Sequence, residues 1–356
     1  MDDRFGRRAF LGTVGSAASL ATAGCSVRTG LLGQVRVPTL HAGDEVARED
    51  SVPRAWKAHV EAVWTARERL GERLADLDGV VGLKVVRSDV EYGGRPGLRL
   101  GVELASGDAA VDLPEDVGGV PISVETALDR GLGACYNDAD FDPVPGGVIV
   151  EAAEGGTFGT ACCRVFDGGE PRLLTAAHLW KSCDRDRAVG SWTTQNGRDL
   201  GPIERYDQHR DVALVVPAER DLDDDIKLIG PERRPVGGAV SEWGLAVFLT
   251  GDHEVEKIGT SSGHTTGHVT AMAVEEGWEQ CVDFGGKGVE AEYRNVPGDS
   301  GGPVFYEHEG EAFLVSVQQM WLREVGTACG DRLAADRGRG TAAAHIRDQF
   351  GIRFAE

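Results

Sequence analysis

The chain has 356 residues, a formal net charge of −21 and 41% hydrophobic residues. This apolar content excludes a mostly disordered chain and is sufficient for one or two cores. The acidic balance disfavours nucleic-acid binding, because no basic stripe is available to contact phosphates.

Only 6 of the 37 basic residues are lysines. An excess of acid with few lysines predicts a halophilic, acidic surface, since a Debye length of about 3 Å in molar salt screens the self-repulsion. The alternative is an ordinary acidic exported protein.

The first 25 residues predict a targeting segment. The twin arginines Arg7 and Arg8 precede an apolar stretch, Gly12 to Ala23, that is too short to span a membrane stably. It ends in Thr22-Ala23-Gly24-Cys25, which resembles a lipobox. We therefore expect twin-arginine export, a lipid anchor on Cys25 as the only membrane contact, and an extracytoplasmic, cell-surface location. Cleavage after Ala23 and full secretion is the alternative.

Residues 26–52 are polar and irregular, and they predict a tether. From Pro53, apolar residues spaced by three or four predict a helix that includes Trp56, Val60 and Leu70. Three strand-like runs follow, at 80–86, 98–104 and 117–124. Residues 53–128 therefore predict a small α+β module that serves as a pro-segment, a spacer or a partner-binding unit.

Residues 129–147 are rich in Gly, Asp and Pro and predict a linker. From residue 148 to residue 356, short strand-like runs separated by turns, one of them at 247–250, predict an all-β barrel or sandwich. A helix at Ala342 to Phe350 is expected to end the domain.

Three motifs carry the predicted chemistry. Thr175-Ala176-Ala177-His178 offers a base, and Asp211 opens an apolar strand, where it can orient His178. Pro297-Gly298-Asp299-Ser300-Gly301-Gly302-Pro303 presents a serine in a glycine turn, which leaves the N–H groups of Gly298 and Ser300 free to bind an oxyanion. The order His, Asp, Ser selects among folds, because the α/β-hydrolases need Ser, acid, His.

These motifs resemble those of the chymotrypsin-like (trypsin-like) serine peptidases, and most closely those of the bacterial streptogrisin and alpha-lytic branch. The resemblance covers residues 146 to 352. It implies two six-stranded antiparallel barrels with a C-terminal helix, and an acyl-enzyme mechanism in the cleft between the barrels. The expected function is a serine endopeptidase acting on protein or peptide substrates. The alternative is an inactive homologue that binds a partner at the cell surface.

The resemblance also places Arg294, Ser316 and Gln318 at the specificity pocket, where Arg294 would favour an acidic side chain in the substrate. The less specific interpretation is a surface Arg294 paired with a nearby glutamate. The chain lacks the Ile-Val-Gly-Gly start that the resemblance would suggest, so activation by a freed N-terminus is not expected. Asp299 must then find another cation or donor. No cofactor is expected. We expect His264 and His268 to be turn residues and not to form a metal site.

Six cysteines follow Cys25, and an even number in an exported chain favours disulfides. By the resemblance, Cys183 pairs with Cys162 or Cys163, the other of these two pairs with Cys135, and Cys281 pairs with Cys329.

Overall fold

The computed structural model describes residues 33–74, 77, 79–105, 113–126, 129–131, 139–154, 157–180, 188–228, 230–276, 282, 284–323 and 335–355. The expected targeting segment and Cys25 lie outside these residues. Within them, no helix is both long enough and apolar enough to cross a membrane.

The N-terminal part contains the predicted helix and strands, and also an unexpected hairpin. The hairpin is β1 (Gln34–Ala42) and β2 (Glu45–Pro53), and the helix is α1 (Arg54–Leu74). The helix buries one apolar face that includes Trp56, Val60, Val63 and Leu70. The remaining strands are β3 (Val80–Glu91), β4 (Pro96–Leu104), β5 (Asp116–Val117), β6 (Val120–Thr126) and β7 (Asp129–Gly131).

A curled half-barrel forms the first half of the predicted β domain. Its strands follow the order β10-β9-β13-β14-β15-β12-β11-β24, and every neighbouring pair is antiparallel. The strands are β9 (Ile149–Ala152), β10 (Phe158–Thr160), β11 (Cys163–Asp167), β12 (Glu170–Ala176), β13 (Trp192–Gln195), β14 (Arg198–Asp207), β15 (Val212–Val215) and β24 (Ile352–Arg353).

The second half is a closed barrel of six antiparallel strands, in the cyclic order β18-β19-β20-β23-β22-β21. These strands are β18 (Glu254–Gly259), β19 (Gly263–Glu276), β20 (Gly288–Asn295), β21 (Pro303–His308), β22 (Glu311–Arg323) and β23 (Ala335–Ala342). Three further strands lie at its margins: β8 (Val144–Gly146), β16 (Leu222–Lys227) and β17 (Arg233–Val240). The architecture confirms the predicted all-β double barrel preceded by an α+β region, although the first half is curled, not closed.

Two helices complete the domain. The predicted C-terminal helix is present as α3 (Ala343–Phe350). The strand expected at 247–250 is wrong, because these residues belong to α2 (Glu242–Thr250), which is capped by the Ser241 hydroxyl accepting from the Gly244 N–H. All of its residues from Gly244 to Thr250 are buried, so its continuous apolar run carried no helical periodicity.

The expected division into tether, module, linker and domain is not what the structure shows. Strand β1 pairs with β17, and β3 pairs with β19 of the closed barrel. Apolar side chains of α1, β1, β3 and β4 share one core with those of α2 and the closed barrel. The tether prediction is wrong for residues 34–52, because these residues form a hairpin whose β1 joins the sheet and buries Val37 and Leu40. The predicted linker contributes β7, which pairs with β22, and β8, which pairs with β16.

A buried ion cluster also joins the N-terminal strands to the closed barrel. Lys84 and Glu103, on β3 and β4, are each at most 3% exposed, and Glu290 and Arg339, on β20 and β23, are 1% exposed. The Arg339 guanidinium donates to Glu103 (3.1 Å) and to Glu290 (2.9 Å), and Lys84 Nζ lies 3.1 Å from Glu103. Burial raises the pKa of Glu103, but the Arg339 and Lys84 charges more than offset this effect and lower the pKa to about 2. Each charge therefore depends on partners contributed by the other part of the chain.

We expect Glu103→Gln to lower the free energy of unfolding at pH 7 by about 3–5 kcal/mol, because it leaves buried cations short of one carboxylate. The depressed pKa of Glu103 gives stability that is present above about pH 4.5 and is lost as the pH falls towards 2. The difference from wild type should therefore shrink over that interval in denaturant titrations.

The matched control is Glu49→Gln, because Glu49 makes an exposed ion pair with Arg36. This change should alter stability by no more than about 1 kcal/mol. Equal effects of the two substitutions would show that the buried cluster contributes no more than a surface pair.

Candidate functional site

Asp211 lies at the end of a tight turn that leads from β14 into β15. Asp207 Oδ1 accepts from the Arg210 N–H (3.0 Å), and the Asp211 N–H donates to the Gln208 carbonyl (3.2 Å). Asp211 itself has a φ of 54°, a left-handed conformation that aspartate tolerates better than most residues. Because β15 pairs with β12, this turn lies beside the end of β12, where His178 follows.

His178 lies in a 3₁₀ turn, Ala177–Trp180, and Asp211 holds it at two points. Asp211 Oδ1 accepts from the His178 backbone N–H (2.7 Å), and Asp211 Oδ2 lies 2.6 Å from His178 Nδ1. A carboxylate can only accept a hydrogen bond, so the proton of this pair is on Nδ1 and Nε2 is left as an acceptor. Within the described part of the chain, Nε2 has no hydrogen-bond partner.

The pair is unequally exposed. Asp211 is 1% exposed, whereas the His178 side chain is 18% exposed. Burial lowers the pKa of His178, but the charge and the hydrogen bond of Asp211 more than offset this effect, so the pKa is raised above its usual value of 6.5. The arrangement produces an oriented imidazole with raised basicity.

Ser300 lies in a turn, residues 296–302, that joins β20 to β21; we call it the Ser300 turn. Gly298 and Gly301 adopt φ angles of 92° and 90°, which favour glycine. A Cβ at Gly301 would lie 2.2 Å from the Thr160 carbonyl oxygen and 2.3 Å from Thr175 Oγ1. The backbone of the turn therefore packs directly against the half-barrel, and Thr175 is only three residues before His178.

Thr160 fastens the Ser300 turn to the half-barrel. Its N–H donates to the Ser300 carbonyl (2.7 Å), and its hydroxyl donates to the Gly298 carbonyl (2.7 Å). Within the described residues, the N–H groups of Gly298 and Ser300 donate no hydrogen bond. The turn thus presents two unpaired backbone donors beside a hydroxyl group.

The Ser300 hydroxyl donates to the Gln319 carbonyl oxygen (3.2 Å). Among the hydrogen bonds of the described residues, none joins Ser300 to His178. The structure thus brings the Ser300 turn against the strand that carries His178, with the Ser300 hydroxyl directed to a backbone carbonyl.

Asp299 finds its cation in Lys257, a residue that the sequence did not single out. Lys257 Nζ lies 2.5 Å from Asp299 Oδ2, and the two side chains are 0% and 1% exposed. Asp299 also accepts from the N–H groups of Ser261 (3.1 Å), Ser262 (2.9 Å) and Val296 (2.9 Å). Burial lowers the pKa of Lys257, an effect that the Asp299 carboxylate opposes. The pair anchors the residue immediately before Ser300.

The three residues expected at a specificity pocket, Arg294, Ser316 and Gln318, each have different surroundings in the structure. The Arg294 side chain is exposed, which does not fit a pocket base, and its carbonyl accepts from the Thr265 hydroxyl. Ser316 is buried in β22 between β21 and β23. Gln318 lies beside the Ser300 turn, where its carbonyl accepts from the Gly301 N–H (2.6 Å). Its buried side chain accepts from the Tyr293 hydroxyl and so packs among other side chains.

The cysteine predictions are only partly covered by the described residues. Cys162 and Cys163 are buried free thiols, which disagrees with the expected bridge between one of them and Cys183. Burial and the neighbouring Cys163 raise the pKa of the Cys162 thiol. Cys135, Cys183, Cys281 and Cys329 lie outside the described residues.

Clusters of side chains that could hold a metal ion are rare in the described part of the chain. One group of adjacent carboxylates, Asp223 to Asp225, lies on β16, and two of them face Arg233 and Arg164. His264 Nε2 lies 2.6 Å from Glu256 Oε2, so this histidine is hydrogen-bonded within the β18–β19 hairpin.

The His178–Asp211 geometry predicts the titration of the imidazole. We expect the pKa of His178, measured by NMR, to exceed 6.5 in the wild-type protein and to fall in Asp211→Asn, because the neutral amide no longer stabilises the imidazolium. The control is Asp207→Asn, which removes a carboxylate of the same turn that pairs with Arg210. An unchanged titration in Asp211→Asn would contradict the assigned contact.

We expect Lys257→Met to destabilise the fold by about 3–5 kcal/mol, because it leaves the Asp299 carboxylate buried without its cation. The double variant Lys257→Met with Asp299→Asn should recover part of this loss, since no buried charge remains. Denaturant titrations of the two variants and wild type measure both effects. A double variant that is less stable than the single variant would contradict the ion-pair account.

No protein-family model matches the chain, and no curated protein matches it. Solved structures to which it is similar include Thermobifida fusca protease A (16% identity, TM-score 0.43, 59% of this chain and 97% of that one). A Cellulomonas bogoriensis chymotrypsin is similar at 19% identity and TM-score 0.43, over 60% of this chain and 98% of that one. The alpha-lytic protease homolog N4 is similar at 18% identity and TM-score 0.42, over 59% and 98%.

Proposed function

We propose that the chain is a serine endopeptidase that hydrolyses peptide bonds through an acyl-enzyme formed on Ser300. The observation that carries the proposal is the His178–Asp211 pair, which is joined by two hydrogen bonds. The pair lies beside the end of β12, and the same strand end packs against the Ser300 turn. A serine hydroxyl needs a base and a group that orients the base, and this pair supplies both.

In the first step Ser300 attacks the substrate carbonyl while His178 Nε2 takes the hydroxyl proton. For this step the Ser300 hydroxyl gives up its hydrogen bond to the Gln319 carbonyl. Asp211 keeps the proton on Nδ1, so Nε2 is free to accept, and its charge stabilises the imidazolium that forms. The raised pKa of His178 is the equilibrium expression of that stabilisation.

The developing oxyanion is bound by the Gly298 and Ser300 N–H groups. Both donors lie in a turn that is held by the buried Asp299 and by Thr160, so they need no reorganisation when charge develops. Preorganised donors of this kind contribute about 3–4 kcal/mol each to transition-state binding in acyl transfer.

Collapse of the tetrahedral intermediate expels the amine, which takes the proton from His178 Nε2. Water then enters the same position, gives its proton to His178 and attacks the ester carbonyl. Ser300 leaves with that proton, and the free enzyme is restored. Each half-reaction uses the same three side chains and the same two donors.

The cellular setting is part of the proposal. The twin arginines Arg7 and Arg8 and the lipobox-like end at Cys25 support export of a folded chain and its anchoring at the cell surface. The net charge of −21 with few lysines supports activity in high salt. Protein or peptide substrates outside the cytoplasm fit both features.

A second candidate function, an inactive homologue that binds a partner through the cleft, is favoured by one observation. The Ser300 hydroxyl is bonded to the Gln319 carbonyl and not to His178. The two functions differ in whether Ser300 can react, which is directly measurable.

We expect a fluorophosphonate probe to label the folded protein in molar salt. The rate of labelling should fall at least 100-fold in Ser300→Ala and in His178→Ala. Ser123→Ala, a change in the N-terminal strand β6, is the matched control and should label like wild type. Mass spectrometry identifies the modified residue. The peptidase function would be refuted if the folded wild-type protein did not label, or if labelling persisted in Ser300→Ala. The partner-binding function would then remain.

A further inference from the structure

Gln319 is a fully buried glutamine of β22 whose side-chain amide is hydrogen-bonded through both its nitrogen and its oxygen. Its amide nitrogen donates to the backbone carbonyls of Arg210 (2.8 Å) and Asp211 (2.6 Å). Its amide oxygen accepts from the Thr341 N–H (2.8 Å) and lies 3.1 Å from the Thr341 hydroxyl oxygen. The one side chain therefore links the Asp211 turn of the half-barrel to β23 of the closed barrel.

The main chain of Gln319 contacts the other reacting group. Its carbonyl oxygen accepts from the Ser300 hydroxyl (3.2 Å). The preceding residue, Gln318, exchanges hydrogen bonds with Gly301 and Gly302 of the Ser300 turn. Gln319 is thus bonded both to the residue that would attack and to the residue that orients the base.

Only a carboxamide satisfies these neighbours. Two backbone carbonyls face its nitrogen, so they require a donor, and the Thr341 N–H faces its oxygen, so it requires an acceptor. Glutamate has the same shape but no donor when ionised, and it would face the Arg210 and Asp211 carbonyls with a negative charge. The Thr341 hydroxyl also donates to the Arg210 carbonyl (2.6 Å), which adds a second link across the same junction.

We propose that Gln319 is a positioning residue that sets the distance between Ser300 and the His178–Asp211 pair. The assignment rests on the proposed peptidase function and refines it. Gln319 fixes the backbone of Asp211, and Asp211 in turn fixes the imidazole. The strand that carries Gln319 is the same one that supports the Ser300 turn, so a shift of one group relative to the other requires breaking the amide contacts.

The test compares Gln319→Glu and Gln319→Ala with Gln195→Ala. Gln195 is also a fully buried glutamine that donates to a backbone carbonyl, that of Ala139, but it lies on β13 and contacts neither Ser300 nor Asp211. It therefore reports the loss of stability expected from a buried glutamine with a purely structural role.

Two readouts are measured on the folded fraction of each variant. One is fluorophosphonate labelling at several probe concentrations, which separates the maximal rate from the half-saturating concentration. The other is the NMR titration of His178. For both Gln319 variants we expect a maximal labelling rate at least 10-fold lower and an unchanged half-saturating concentration. In Gln319→Ala, which introduces no charge, we also expect a lowered pKa of His178, because Asp211 is held less firmly. Gln195→Ala should keep the wild-type values of all three.

Gln319 variants that label and titrate like Gln195→Ala would overturn the assignment. If Gln319→Ala does not fold, the milder Thr341→Val, which removes only the hydroxyl contacts, is judged by the same three values, and the isosteric Gln319→Glu is judged by its labelling alone. Failure of the peptidase function has a different signature, because wild type would then not label at all. The His178 titration would still show whether Gln319 orients Asp211.

Discussion

The buried ion pair between Lys257 and Asp299 is the interaction on which the geometry around Ser300 depends. An isolated carboxylate at 1% exposure would be costly, so the Asp299 position exists only because a cation and three backbone N–H groups surround it. Since Asp299 is adjacent to Ser300, the pair holds the conformation of the turn. In that conformation the Gly298 and Ser300 N–H groups have no acceptor among the described residues, and they can serve as donors to a developing negative charge.

A second constraint is the close approach of the two halves of the β domain. Gly301 leaves no room for a side chain between the Ser300 turn and the ends of β10 and β12, so its backbone lies directly against the Thr160 carbonyl and the Thr175 hydroxyl. Thr160 and Gln319 add hydrogen bonds between the two halves. The N-terminal strands extend the same rigid unit, because they share a core and a buried ion cluster with the closed barrel. The described residues between 34 and 126 therefore share their sheet, their core and a buried ion cluster with the closed barrel.

Much of this was predictable from local sequence. The apolar spacing of α1 and the glycine-rich turn before β21 follow from short-range rules. The pairing of Asp211 with His178 was expected from the chemistry of a base and the group that orients it, since the two residues are 33 positions apart. The hairpin at residues 34–53 was missed because its polar, irregular sequence becomes a strand only where β17 supplies a pairing edge. Helix α2 was missed because a helix that is buried on every side has no amphipathic period. Lys257 was missed because a single lysine in a strand has no signal until its partner, 42 residues later, is adjacent.

The sequence by itself determined which functional groups are available, namely a serine hydroxyl in a glycine turn, an imidazole and a carboxylate, and in which chain order they occur. It did so because a functional group belongs to a single residue and because the turn-forming glycines lie next to Ser300 in the chain. Only the tertiary structure decided which groups meet, because Lys257 with Asp299, Gln319 with Asp211, and Glu103 with Arg339 are contacts between distant segments. Their strength comes from burial, and burial is a property of the assembled fold.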